Sequence, residues 1–392
     1  MQVVGQNERR WMGGLLLLTT CSWGRFLATG SPKVDQSYPS GAVGLALLGG
    51  LVVGWGLLVV GWRGFLVGPR PNGPPRRLAY AGLLVAALML PMLSNDVFSV
   101  FAYGSLAAHG RDVYTTASGL SDTAWYPWVG QRWAEKVCVY GPSTLLGAVP
   151  VALAGHSPWL ALALLRVVWF APLAAAMELS FRRLGDRPLF HAMVWLNTLW
   201  IVEGPGQMHG DMLGMTAVVA GIALAMPVGG ATRGRRRVAG WLLYAIAVLG
   251  KYSFVFTGPW FWLFGARTAR ERIERLPLMA GILIVTGGAL YAPFWRGPAT
   301  ITGPLHALGG MNPGGSIVEV VGILVSLATG HGVPDQDAPV HAALEATRAA
   351  SATTWLVTSV VLQLVTLGVA VRLLAGMLRG PHDDRRVAIG TG

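Results

Sequence analysis

Five ionisable residues stand at the ends of apolar runs, where charge is expensive. Asp96 follows a run that closes near residue 94. Glu203, His209 and Asp211 flank or occupy the loop Gly204-Pro205-Gly206-Gln207-Met208-His209-Gly210-Asp211, and Lys251 closes another apolar segment. Ionisable groups in such surroundings are functional by default. A carboxylate can take the proton of an attacking hydroxyl, and Lys, Arg or His can neutralise a departing phosphate. The set therefore holds the groups needed to move a substituent from a phosphate carrier to a hydroxyl. Each has a plainer reading. Asp96, with Ser94 and Asn95, is a good helix cap. Lys251 could neutralise Glu203 or Asp211 as a structural pair, and His209 could be a satisfied hydrogen-bonding residue. His209 and Asp211 lack a third ligand at helical spacing, so they make no metal site.

The rest of the chain must hold these groups in a membrane. Of 392 residues, 53% are hydrophobic and only 12% charged, about half the charge usual in soluble domains. That excludes an ordinary soluble enzyme, a disordered chain and a disulfide scaffold, and Cys21 and Cys138 offer no metal spacing. The net charge of +12 does not indicate nucleic acid. Its arginines cluster between apolar runs, at 63–77, 182–187, 233–237, 267–275 and 379–386, as cytoplasmic loops require. Full-length spans are expected at 11–28, 40–62, 78–94, 158–179, 277–294 and 354–378. Shorter runs lie at 143–155, 189–203, 212–227, 239–250, 252–265 and 316–329. Keeping every basic cluster inside gives ten crossings, with both termini cytoplasmic, 95–142 and 295–353 outside, and 143–155 and 316–329 as surface helices. Helices of about 12 residues rise only about 18 Å, short of a core of about 30 Å. Pairs of them place Glu203, His209, Asp211 and Lys251 at recessed apices, facing one outward polar cavity with Asp96.

Residues 96–106 put Phe98, Phe101, Ala102 and Leu106 on one face, as an interfacial helix would. Asp96 then sits at a partly desolvated mouth, where burial should raise its pKa and improve it as a base. Trp125, Trp128, Trp133, Trp260 and Trp262 fit an interfacial belt, with Trp133 also a candidate for sugar contact. Arg296 reads as a snorkelling side chain and Glu319 as solvent-facing.

The motifs of this outer loop carry a resemblance. Asn95-Asp96-Val97-Phe98-Ser99, Tyr103-Gly104 and Ala108-His109-Gly110-Arg111-Asp112-Val113-Tyr114 resemble the first outer loop of GT-C-type glycosyltransferases. The likeness is to the bacterial polyprenol-phosphate-mannose-dependent α-1,6-mannosyltransferases. Tyr140-Gly141-Pro142, Asn197, Glu203-Gly204, His209-Gly210-Asp211 and Lys251 resemble later motifs in the same order, as do Asn312-Pro313 to Ser316 and His331-Gly332 to Asp337. Four positions depart: Val113 stands for Pro, Ser143-Thr144 for Leu-Trp, Thr198 for Pro and Gly210 for Asn.

The resemblance implies an all-α polytopic membrane protein, a GT-C-like bundle of about 10–12 transmembrane helices with juxtamembrane helices in two outer loops. It implies a single transferase domain over 1–392, with 95–142 as the catalytic loop. The activity implied is inverting transfer of mannose from a polyprenyl phosphate to a cell-envelope glycan or glycolipid, at the outer face of a bacterial plasma membrane. Asp96 would be the catalytic base. Lys251, Arg111, His209, Asp211, Glu203, Tyr140, Tyr103, Tyr114 and Trp133 would bind substrate or its phosphate. No cofactor is required, although the carboxylates leave room for a divalent cation. Besides donor and acceptor, the bilayer is the expected partner, and nucleic acid is not. A transporter or flippase for a lipid-linked saccharide is the competing reading, but transporters pair broken helices in separate halves, and here the short pairs are adjacent. A non-catalytic scaffold would not need Asp96 and Lys251 together.

Overall fold

The computed structural model describes residues 2–30, 41–67, 76–91, 96–115, 120–129, 136–184, 188–226, 234–258, 261 and 268–309. The chain divides into two compact units, Met1–Ala307 and Leu308–Gly392, and the fold below is that of the first. Trp133, Trp260, Trp262, the stretch 316–329 with Glu319, the motif residues from Asn312 to Asp337 and the span at 354–378 lie outside the described residues.

Every regular element among the described residues is helical. They are α1 (Gln2–Thr29), α2 (Gly41–Val67), α3 (Arg76–Leu88), α4 (Asp96–Ala108), α5 (Pro142–Ala148), α6 (Pro158–Arg183), α7 (Pro188–Trp195), α8 (Thr198–Ile201), α9 (Asp211–Ala225), α10 (Gly234–Val248), α11 (Ala269–Tyr291) and α12 (Ala299–Gly309). Ala42–Val67, Pro158–Arg183 and Ile273–Phe294 are long and apolar enough to cross a membrane by length and composition. The protein is an all-α membrane protein. Without a hydrophobic drive between helices in lipid, small residues that admit close approach hold such bundles together. A Cβ on Gly61 of α2 would lie 2.7 Å from the Trp11 amide nitrogen of α1. Gly221 of α9 and Gly240 of α10 each face the other's carbonyl, at 2.9 and 2.8 Å from an added Cβ.

Two expected segments are broken. The run 78–94 is helical only through Leu88, three residues before Pro91, whose ring excludes the preceding residue from the helix. The freed backbone groups find partners on other helices. Trp23 Nε1 donates to the Leu88 carbonyl at 2.8 Å, Arg166 donates to the Met89 carbonyl, and Ser22 Oγ accepts from the Leu90 amide at 3.0 Å. The run 189–203 is likewise interrupted at Leu196 and Asn197. The Leu196 carbonyl takes the Trp11 indole N–H at 2.9 Å, and Asn197 Oδ1 caps α8 by accepting from Trp200 N at 3.1 Å. Irregular backbone at membrane depth survives only when satisfied in this way.

The helix α4 also departs from expectation. It presents no bare apolar face, since Val97 through Gly104 are all buried. One side packs on α5, where a Cβ on Gly104 would sit 2.5 Å from the Ala148 carbonyl. The other side is roofed by the outer loop, with Trp125 edge-on to Phe101 at 5.1 Å and Trp128 stacked on Phe98 at 5.7 Å. Trp125 is therefore core rather than belt, at 1% exposure.

Candidate active site

Four helix ends converge. Asp96 opens α4, Tyr140 precedes α5, Asp211 opens α9 and Lys251 follows α10. The start of α5 clasps the end of α10. Gly141 N donates to the Gly250 carbonyl at 2.7 Å and Ser143 N to the Leu249 carbonyl at 3.0 Å. Ser143 Oγ donates to the Ile246 carbonyl at 2.7 Å, and Thr144 Oγ1 to that of Gly250 at 3.2 Å. The amides one helix start leaves unpaired thus meet the carbonyls another helix end leaves unpaired. Ser143 and Thr144, departures from the family pattern, tie down the end of α10 that leads to Lys251, and spacing alone did not reveal them.

Gly141 is required for space, not for conformation. Its φ of −74° suits any residue, but a Cβ there would lie 2.1 Å from the Leu249 carbonyl oxygen. Gly141→Ala must push apart two hydrogen-bonded backbones. We expect it to cost at least the upper part of the about 1–3 kcal/mol typical of overpacking, read as a lower thermal midpoint of the purified protein. Gly210 is constrained similarly, since a Cβ would meet the Tyr140 ring at 2.3 Å.

The turn that presents His209 is itself strained. Val202–Gly206 forms a π turn, and buried Met208 adopts φ 54°, a left-handed conformation costly for a non-glycine residue. Bonds from Gln207 N to the Val202 carbonyl at 2.8 Å and from His209 N to the Glu203 carbonyl at 3.2 Å hold it there.

The side chains form one chain of opposite charges. His209 Nε2 lies 2.7 Å from Asp96 Oδ2, which also accepts from the Tyr140 hydroxyl at 3.2 Å. His209 Nδ1 lies 3.5 Å from Asp211 Oδ2, and Asp211 Oδ1 lies 2.5 Å from Lys251 Nζ. Side-chain exposures of 16% for Asp96 and 28% for Lys251 leave both ends of the chain accessible. Glu203 is within electrostatic reach of His209, Asp96 and Asp211.

Burial opposes charge on His209 and Asp96, but their neighbours prevail. His209 is held up at about 10 by Asp211 and Asp96. Asp96 is lowered, by His209, Lys251 and Tyr140, against its desolvation. The expectation of a raised Asp96 pKa is therefore corrected: the cations beside it outweigh the burial. His209 is an imidazolium near neutrality and cannot itself be the base.

A pH dependence follows. His209 has a folded pKa above its ordinary 6.5, so its pairing stabilises fully below that value and is lost as pH rises through about 10. The thermal midpoint should fall between pH 7 and 10 in the wild type, and His209→Gln should flatten that decline.

The other expected site residues lie apart from this chain. Arg111 pairs with Asp122 at 2.8 Å on the exposed outer loop. Tyr103 donates from its buried ring to the Lys136 carbonyl at 2.9 Å and latches the loop onto α4. Tyr114 is fully buried against Tyr291 and Phe294. Arg296 does not merely snorkel: it reaches the Gly110 carbonyl at 3.5 Å. Among the described residues no group of three or more His, Cys, Asp or Glu is arranged to hold a metal.

Fold and site together define an all-α membrane protein whose helix ends gather a carboxylate, an imidazolium and an ammonium. The family model for the N-terminal domain of alpha-(1->6)-mannopyranosyltransferases matches residues 12–267, and the chain belongs to that family. It is 28% identical over 246 residues to alpha-(1->6)-mannopyranosyltransferase A of Mycobacterium tuberculosis, a match covering 61% of this chain and 44% of that protein. It is 26% identical over 181 residues to the protein of the same name from Corynebacterium glutamicum, covering 45% of this chain and 36% of that one. The matches thus span less than half the length of these relatives. No solved structure matches.

Proposed function

We propose that the protein is an inverting mannosyltransferase. It takes mannose from a polyprenyl phosphate and gives it to a hydroxyl of a cell-envelope glycan or glycolipid, at the outer leaflet of a bacterial plasma membrane. The observation that carries this reading is the unbroken chain from Asp96 through His209 and Asp211 to Lys251. Asp96 takes the acceptor's proton as its oxygen bonds the anomeric carbon from the face opposite the carrier. The bond from that carbon to the phosphate oxygen breaks, and the carrier phosphate leaves as an anion. Lys251 and the His209 imidazolium meet that developing charge. No protonating acid is needed, unlike the paired carboxylates of glycosidases. Side-chain cations supply the neutralising charge, so the reading includes no cofactor.

Membrane depth supports the same reading. The helices α9 and α10 have 15 residues each, roughly 22 Å of rise, against a hydrocarbon core of roughly 30 Å. If their far ends sit at one membrane face, Asp211 and Lys251 lie below the other, within reach of a lipid-borne phosphate. The test is to give membranes containing the protein radiolabelled polyprenyl-phosphate mannose. Label entering a longer glycan supports the proposal. Label that crosses the bilayer unchanged would establish transport instead.

A further inference from the structure

The elbow that carries Lys251 is tied on both sides. Lys251 stands between the end of α10 and a 3-10 turn at Tyr252–Thr257, with extended backbone at φ −152° and ψ 125°. On the α10 side, the clasp to α5 fixes Gly250. On the other side, the hydroxyls of Tyr252 and Tyr291 are hydrogen-bonded to each other. Tyr291 is the last residue of α11 and only 7% exposed. Its ring centre lies 5.8 Å from that of Tyr114, in the outer loop. Adjacent side chains thus reach different helices: Lys251 meets Asp211 of α9 at 2.5 Å, and Tyr252 meets α11. Transfer as described above uses Lys251 and gives the tyrosine pair no task.

A hydrogen bond between two such hydroxyls adds little stability, because two apolar rings of the same shape can replace the pair almost without loss. What the bond adds is direction. It fixes where Tyr252 stands on α11, and the backbone of the residue before it follows. The ion pair to Asp211 cannot do this alone, since a lysine head sits on a flexible four-carbon stem. We propose that Tyr252 and Tyr291 are positioning residues for Lys251, holding its backbone so that the ammonium stands where the carrier phosphate departs. The role in transfer rests on the mannosyltransferase reading; the placement of Lys251 does not. Placement matters because a shift of about 1 Å in a reacting geometry costs about 10² in rate.

The test combines Tyr252→Phe with Tyr291→Phe, so that both rings keep their packing and neither hydroxyl is left unpaired. The purified full-length protein is treated with an amine-acylating reagent, and peptide mass spectrometry reads labelling of Lys251 against Lys136. The double variant should keep its thermal midpoint while Lys251 labels about fivefold faster, the effect of losing roughly one hydrogen bond. On polyprenyl-phosphate mannose, its kcat and kcat/KM should fall together by about tenfold, the mark of an interaction made in the transition state. In a Lys251→Ala background the two substitutions should cost nothing further. Tyr80→Phe removes a remote hydroxyl that donates to Glu178 at 2.8 Å, and Lys251 labelling should stay unchanged. Equal acceleration at Lys136 or in Tyr80→Phe would reduce the effect to general loosening and overturn the proposal. Unchanged labelling of Lys251 in the double variant, or further loss of transfer in the Lys251→Ala background, would overturn it too. Faster Lys251 labelling in the double variant, with no transfer even by the wild type, would overturn the mannosyltransferase reading and support the positioning of Lys251.

Discussion

Asp96→Asn should leave the protein folded while mannosyl transfer falls by at least about 10², the lower end of general-base effects. Asp96 is the first residue of α4, so a capping role is the competing explanation of its presence. Asn caps as well as Asp, and the substitution therefore separates the two roles. The lowered pKa of Asp96 sharpens the expectation. Lowered from an already acidic value, its carboxylate is ionised at neutral pH, so activity should show no acid limb near neutrality from this group. The substitution also removes one of the two counter-charges of His209, and the imidazolium should become easier to deprotonate. Transfer by Asp96→Asn at near wild-type rate, on a validated donor and acceptor, would sink the base assignment and move it to Asp211 or Glu203.

Lys251→Ala should reduce turnover on the order of 10²-fold, as removal of single electrostatic groups does. The ammonium sits 2.5 Å from Asp211, so a purely structural pair predicts a loss as well. The double variant distinguishes them. If Lys251 only neutralises Asp211, then Lys251→Ala combined with Asp211→Ala should regain stability and much of the activity. If it meets the leaving phosphate, stability should return while transfer stays low. Rates and thermal midpoints measured on the same preparations decide the matter.

Charge is scarce in this chain, which is why Asp96, His209, Asp211 and Lys251 are legible from residue order alone. Each interrupts an apolar run, and their convergence follows from helices too short to cross. The long helices at 42–67, 158–183 and 273–294 are legible for the same reason, since hydropathy reads length well. What hydropathy does not read is where a run breaks. Pro91 signals the end of α3, but the partners that make the break tolerable, Trp23, Arg166 and Ser22, are distant in sequence. The expectation of a bare apolar face on α4 fails similarly. Its Phe98 and Phe101 face looks lipid-bound until Trp125 and Trp128 of the loop cover it. The clasp of Ser143 and Thr144 on α10 is invisible for a third reason: its acceptors are backbone carbonyls, and backbone has no signature in residue type.

The indole and hydroxyl partners of those breaks sit on only two helices. Trp11, Ser22 and Trp23 of α1 and Trp62 of α2 serve Leu196, Leu90, Leu88 and Ala192 in turn. Lipid offers no substitute partner for a bare carbonyl or amide. The broken segments α3 and α7 therefore find these partners in the bilayer where α1 and α2 stand as a pair. Translation order matches this need, because the two helices that supply the donors are made before α3 and α7. The α1–α2 pair is thus a scaffold for the later segments, its indole N–H groups engaged by their carbonyls.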